Sequence, residues 1–265
     1  MFDLHCHSEF SMDSRESMEN SVRVGIERNL KSICFTDHID FFPEDPTKNY
    51  AFVPRDYFRS LNRVRYTYAD KIEVLAGCEI GMVRGIADEY NAYIGDYPFD
   101  YVLLSLHTLM NRDIAYDWAH TELPEVALKN YYDEMYRCLL EYDNYDALGH
   151  MDYIDRYFPD KSLIPPYSFY ADEVDLILKH IITHGKALEV NTKGVRTGLF
   201  YFHPKVEILL RYRDLGGELI TLGSDAHKKE EVGLGIRDAM KLLRELGFKN
   251  TYKFVSRKKY ALPLG

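Results

Sequence analysis

Six of the chain's ten histidines, His5, His7, His38, His107, His150 and His227, close short apolar runs. Three carboxylates, Asp13, Glu79 and Asp225, stand in the same positions or just behind them. The first such event comes at once: Met1-Phe2-Asp3-Leu4 leads into His5-Cys6-His7, two imidazoles one residue apart. Where a strand turns into a loop, both rings can reach one metal ion. A lone His-x-His would read as a polar strand end, and it is the repetition that argues for chemistry. The recurrences are Thr36-Asp37-His38, Cys78-Glu79, Ser105-Leu106-His107, Gly149-His150-Met151-Asp152, Glu189-Val190-Asn191 and Ser224-Asp225-Ala226-His227. Gathered in one cavity without partners, each such group would cost at least roughly a few kcal/mol. Metal ions remove that cost. The nine ligands are too many for one ion, and mixed nitrogen and oxygen donors suit zinc, iron or manganese better than calcium or magnesium. The other four histidines have plainer readings. His180 lies on a helix face, His184 at a helix C-terminus where positive charge is favoured, His203 before a proline at a helix start, and His120 in a solvated loop.

A strand must precede each of these residues to deliver it. After the first strand from residue 2, apolar runs predict strands over 31–36, 73–78, 100–105, 145–148, 186–190 and 218–222. Between them, helical spacing predicts helices from residue 17 (Val22, Ile26 and Leu30 four apart), over about 56–70, 88–94, 124–142 and 170–184, from 203 through 210, and over 231–246. Gly185 reads as a C-terminal cap, and the tail 251–265 as a short terminal strand. Seven strand-then-helix cycles imply a parallel sheet with right-handed crossovers. An open doubly wound sheet gathers ligands near one switch point. Seven polar strand ends require instead a closed ring whose strand C-termini converge on one mouth. The expectation is one α/β domain over 1–265, a seven-stranded (β/α) barrel.

Bulk composition narrows the partners. A chain of 265 residues fits one domain of this class. A formal charge of -9 argues against a nucleic-acid backbone as partner, since such proteins display concentrated basic surface. It leaves open a phosphorylated small molecule met by local cations. The four cysteines show no C-x-x-C pairing and suggest no disulfide framework. Cys34 and Cys78 read as small buried side chains, and Cys6 as a packed thiol. No basic segment followed by an apolar one opens the sequence, and no run approaches the ~18 apolar residues of a membrane span. A cytoplasmic protein is expected, with no membrane, nucleic-acid or obligatory protein partner.

In order, spacing and strand context, these motifs resemble the successive motifs of the PHP (polymerase and histidinol phosphatase) phosphoesterases. Within that family, the length and the loops carrying Arg156, Lys193 and Arg196 are most similar to the histidinol-phosphate phosphatases. The resemblance implies a distorted seven-stranded barrel of the PHP type with three divalent transition-metal ions. It also implies hydrolysis of L-histidinol phosphate to L-histidinol and phosphate, a step of histidine biosynthesis. Carried over by position, the first ion takes His5, His7, Glu79 and Asp225. The second shares Glu79 and adds His107 and His150. The third takes Asp13, His38 and His227, where many family members have histidine in place of Asp13. Asp37, Asp152 and Asn191 then orient ligands. Hydrolysis of phosphate monoesters calls for up to ~10²¹-fold acceleration. Ions about 3.5–4 Å apart can hold a bridging hydroxide and clamp phosphoryl oxygens. Glu79 is the bridge, and Asp225 or His227 returns a proton to the departing alkoxide.

Substrate contacts are expected from the loops. Arg156, Lys193 and Arg196 lie on neighbouring exits and suit phosphate, which arginine binds with paired donors. The long stretch 108–123 is polar and aromatic (Asp113, Tyr116, Asp117, Trp118) and suits the ammonium and imidazole of histidinol; loops of this length are often functional. Three other readings stand beside this one. A PHP enzyme acting on nucleotides, nucleic-acid ends or phosphotyrosine shares the motifs, though the acidic charge disfavours nucleic acid. An amidohydrolase barrel also opens with His-x-His, but needs eight cycles. A non-catalytic metal-binding domain would keep the ligands without turnover.

Overall fold

Strand alternates with helix from the first residues of the computed structural model, which describes residues 1–109, 112–115 and 123–265. β1 (Phe2–Cys6) is followed by α1 (Met18–Glu27), β2 (Ser32–Asp40), the short β3 (Tyr50–Ala51) and α2 (Pro54–Thr67). Then come β4 (Glu73–Gly81), α3 (Ala87–Gly95), β5 (Tyr101–Ser105) and a small hairpin of β6 (Thr108–Leu109) and β7 (Arg112–Asp113). The chain continues through α4 (Pro124–Glu141), β8 (Ala147–Leu148), α5 (Ala171–Thr183), β9 (Ala187–Asn191), α6 (Val206–Asp214), β10 (Ile220–Gly223) and α7 (Ile236–Glu245). It ends in β11 (Asn250–Val255) and β12 (Lys258–Pro263).

Seven strands form one sheet in the order β1-β2-β4-β5-β8-β9-β10, each neighbouring pair parallel. Only β3 departs, antiparallel on β2. The ends of the sheet meet: the Asp225 amide donates to the His5 carbonyl at 2.8 Å, and the His7 amide to the Ala226 carbonyl at 2.8 Å. The sheet is thereby nearly closed as a seven-stranded barrel. β2 and β5 are buried along their whole length, and β4 beyond its first residue, as parallel strands covered by helices must be. This is why they read as near-continuous apolar runs. On the outside, the Ser17 hydroxyl accepts from the Asn20 amide to cap α1, which turns Met18 and Val22 inward and leaves an Arg23–Glu19 pair in solvent.

Four elements differ from the sequence expectation. β2 and β4 do not stop before their motifs but pair in unbroken register from Ser32↔Glu73 to Asp40↔Gly81. His38 and Glu79 therefore sit opposite each other inside the strands. Helix α7 begins at Ile236 and not at 231, because Gly233 and Gly235 take positive φ (72° and 75°), which a helix cannot contain. The tail is a hairpin, not a single strand: Ser256 and Arg257 turn it at φ 48° and 63°. It lies at the N-terminal ends of the strands, where the Arg257 amide donates to the Asp100 carbonyl and its side chain pairs with Asp146.

Candidate metal centre

At the other end of the barrel the motif residues converge. β1 carries a register shift between Asp3 and Cys6, and His7 follows directly after the strand. That irregularity brings His5 Nε2 and His7 Nε2 within 3.1 Å of each other. Glu79 projects between strands. Its Oε2 lies 3.2 Å from His5 Nε2 and 3.4 Å from His7 Nε2, and its Oε1 lies 3.2 Å from His107 Nε2 and 2.8 Å from His150 Nε2. Oε2 also lies 3.3 Å from His38 Nδ1, so one carboxylate faces five imidazoles, three on one oxygen and two on the other. Asp225 Oδ1 completes the His5–His7 pair at 3.9 and 3.6 Å. Asp225 enters the cavity from a backbone of positive φ (54°), which aspartate tolerates better than bulkier residues. A third group lies beside these: ligand atoms of His7, Asp13, His38 and His227 are all within 4.8 Å of one another.

The nitrogens facing inward are set by what holds the rings from behind. His5 Nδ1 donates to Glu189 Oε1 (2.7 Å) and His107 Nδ1 to Asp40 Oδ1 (2.8 Å). His7 Nδ1 donates to Ser11 Oγ (2.8 Å), whose own proton goes to Asp37. In all three rings Nε2 is left to point at Glu79. Such carboxylate or hydroxyl backing is the usual support of metal-ligating histidine. Asp40 has room because residue 81 is glycine: a Cβ there would stand 1.8 Å from Asp40 Oδ1. Burial would raise the pKa of Glu79, yet His5, His107 and His38 around it hold it well below the usual carboxylate range. Asp225 is likewise kept low against burial by Lys193 and Arg156. Burial would lower His5 and His107, but the facing carboxylates carry both well above the ordinary imidazole value. Burial lowers His150 to about 4, so it is a neutral ring. A field that draws positive charge onto buried donor nitrogens is one that suits a cation.

The cavity above these groups measures about 180 Å³. Glu79, His107, His150, Asp225 and His227 open into it together with Arg156, Lys193 and Tyr153. A larger groove of about 490 Å³ lies at the far end of the barrel against Lys71 and Asp100, without any comparable gathering of ligands among the described residues. Size does not locate the site; donor chemistry does.

The PHP domain family matches residues 3–193, well over half the sequence. The chain belongs to the PHP family. It is 33% identical to the histidinol-phosphatase of Lactococcus lactis over 93% of this chain and 91% of that one. A probable histidinol-phosphatase of Clostridium acetobutylicum is 32% identical, with 98% and 100% covered. Among solved structures, histidinol phosphate phosphatase from Lactococcus lactis, complexed with zinc, L-histidinol and phosphate, superposes with a TM-score of 0.88 at 30% identity, covering 98% of each chain.

Around this PHP centre the other expected residues divide. Arg156 is buried and donates from Nη1 and Nη2 to Asp225 Oδ2, both at 3.1 Å. Lys193 Nζ lies 3.0 Å from Asp225 Oδ1 and 3.1 Å from His227 Nδ1. Arg196 is not brought to the cavity; its guanidinium donates to the Ser224 carbonyl behind it. Asp113 is half-buried in β7, accepts from the Ala115 amide and does not itself line the cavity. Tyr116, Asp117, Trp118 and His120 lie outside the described residues. Of the expected orienting groups, Asn191 Nδ2 reaches Glu189 and Asp225, and Asp37 acts through Ser8 and Ser11. Asp152 touches no ligand and bonds His203 and the Lys205 amide instead. Sequence reasoning named Glu189 in its motif without giving it a role, and missed Asp40. The signal was period two: Glu189 shares a strand face with Asn191, and Asp40 with His38.

Proposed function

We infer that this chain is a metal-dependent phosphomonoesterase that hydrolyses L-histidinol phosphate to L-histidinol and phosphate. The observation that carries this reading is Glu79, one oxygen toward His5, His7 and His38 and the other toward His107 and His150, in a chain one-third identical to a histidinol-phosphatase. The donor set fits divalent transition metal: imidazoles backed by carboxylate or hydroxyl acceptors, together with carboxylates, mostly buried, with Asp13 at the exposed edge. His5, His7, Glu79 and Asp225 would hold one ion, Glu79, His107 and His150 a second, and Asp13, His38 and His227 a third with His7 at its edge. When bound, such ions supply Lewis-acid polarisation of phosphoryl oxygens and a water activated near neutral pH.

The chain's own residues do the rest. Arg156 and Lys193 present positive charge beside Asp225 and draw the phosphoryl group against the ligand wall. Asp225 or His227, both open to the cavity, takes the proton of the attacking water and passes it to the alkoxide that leaves. The buried floor of the cavity excludes bulk water, so each of these charges acts at greater strength than it would in solvent. The three-ion count, the single-domain organisation, a cytoplasmic setting and independence of nucleic acid, membrane and protein partners belong to the same reading. No helix among the described residues is long and apolar enough to cross a membrane.

Elemental analysis of the active enzyme combined with a substrate panel tests this directly. More than one transition-metal ion per chain is expected, with turnover abolished by chelation and strong preference for histidinol phosphate over p-nitrophenyl phosphate. One ion or none in fully active enzyme would sink the multinuclear centre. Equal rates on both substrates would remove histidinol phosphate as the dedicated substrate.

A further inference from the structure

His203 looked unremarkable in the sequence, one residue before a proline. In the structure it is wholly buried behind the active-site wall. Its backbone is pinned to the end of β9: the Asn191 amide donates to the His203 carbonyl at 2.7 Å, and the His203 amide to the Asn191 carbonyl at 2.9 Å. The turn 192–196 lies directly on the ring. A Cβ on Gly194 would come within 3.3 Å of His203 Cδ2 and Nε2, and within 2.5 Å of the Tyr201 carbonyl oxygen. Position and ring plane are therefore fixed before any side-chain bond is counted.

Two bonds then fix the ring's protons. Arg156 Nε donates to His203 Nε2 at 2.8 Å, and His203 Nδ1 bonds Asp152 Oδ1. A guanidinium has only donors, so His203 Nε2 must be the bare acceptor and Nδ1 must carry the proton given to Asp152. The second oxygen of Asp152 accepts the Lys205 amide at 2.8 Å, which holds the carboxylate in turn. Arg156 has five N–H groups. Four are engaged: one with His203, two with Asp225 and one with Asn191 Oδ1 at 3.2 Å. The one remaining is on Nη1. The guanidinium also lies over the Tyr153 ring, 5.0 Å from its centroid. Its contacts leave it a single edge for the cavity.

We propose that His203, held in one tautomer by Asp152, is a positioning residue that sets the guanidinium of Arg156 and, through it, the carboxylate of Asp225. The role rests on the phosphomonoesterase reading of this site. His203 touches neither substrate nor ligand. Without its acceptor, the buried Arg156 Nε–H is unsatisfied and the guanidinium is free to turn away from Asp225 and from the incoming phosphoryl oxygen.

The test is a double-mutant cycle on the metal-loaded enzyme, read as kcat/KM for histidinol phosphate. His203→Leu is expected to lose about 10–100-fold, the usual scale for a residue supporting an active-site group, with metal content unchanged. In an Arg156→Met background the same change is expected to cost nothing more, because the partner it acts through is gone. His203→Gln, whose amide oxygen can replace the acceptor, is expected to retain most activity. Should the leucine variant fold poorly, Asp152→Asn, which conserves shape and inverts the tautomer, is expected to show the same Arg156-dependent loss. Wild-type activity in the leucine or asparagine variant would overturn the proposal. So would a loss undiminished in the Arg156→Met background, or a glutamine variant as impaired as leucine. A wild-type enzyme without turnover of histidinol phosphate would overturn the functional reading and this role with it. An active wild type with a fully active His203→Leu overturns this role alone.

Discussion

Glu79→Gln is expected to lower kcat by at least about 10²–10³-fold, the scale on which removal of one transition-state-stabilising group is felt, while leaving the fold intact. Glutamine has the same shape, so the barrel is undisturbed. Ser105 Oγ donates to Glu79 Oε1 at 2.7 Å, which selects oxygen at that position in the amide. The amide nitrogen must then face His5 and His7. There it offers hydrogens to their inward nitrogens and can no longer ligate a cation. Loss should fall first on the ion of the His5–His7 pair, so metal analysis should show a lower stoichiometry with an unchanged melting temperature. Near-normal turnover at full metal content would remove Glu79 from its bridging role.

Arg156→Met is expected to reduce kcat/KM for histidinol phosphate by roughly 30-fold to several thousand-fold. This follows from the ~2–5 kcal/mol cost of truncating one partner of a buried, hydrogen-bonded charge pair. The Arg156–Asp225 pair is such a case, with side chains almost wholly buried on both sides. Methionine fills the volume and keeps the apolar contact with Tyr153 but supplies neither charge nor donor. Lys193 remains on Asp225 Oδ1, so metal content should change little while phosphate affinity and rate both fall. A variant with the kcat/KM of wild type would show that Arg156 serves stability and not the reaction.

The seven strands and the residues they deliver were legible because parallel strands buried on both faces must be apolar, and because a polar residue recurs at the end of one strand after another. What was not legible depends on contacts between distant segments. His203 gains its role from Asp152 and Arg156, about fifty residues earlier, and nothing in a His-Pro dipeptide announces that. Arg196 reads correctly as a cation on an active-face loop, yet the 192–196 turn aims it at the Ser224 carbonyl, a direction spacing does not encode. The resemblance implies an orienting role for Asp152; from the head of the short helical turn 153–157 it bonds His203 and the Lys205 amide instead. Helix α7 starts late for a local reason, two glycines whose backbone signs are visible only in the structure.

The seam of the barrel joins β1 to β10, so the ligand pair at residues 5 and 7, already facing Glu79, meets its second carboxylate only at residue 225. At roughly 5–20 residues per second of synthesis, on the order of ten seconds or more separate the emergence of His5 from that of Asp225. During that interval the nascent chain carries the His5–His7 pair and Glu79 without the fourth member of their set. Firm retention requires translation to have passed β10, which makes a fully loaded centre a mark of a completed chain. A chain ended before β10 should accordingly lose the ion of the His5–His7 pair on gel filtration. Retention of a full complement by that shortened chain would contradict the link between finishing the polypeptide and charging its centre.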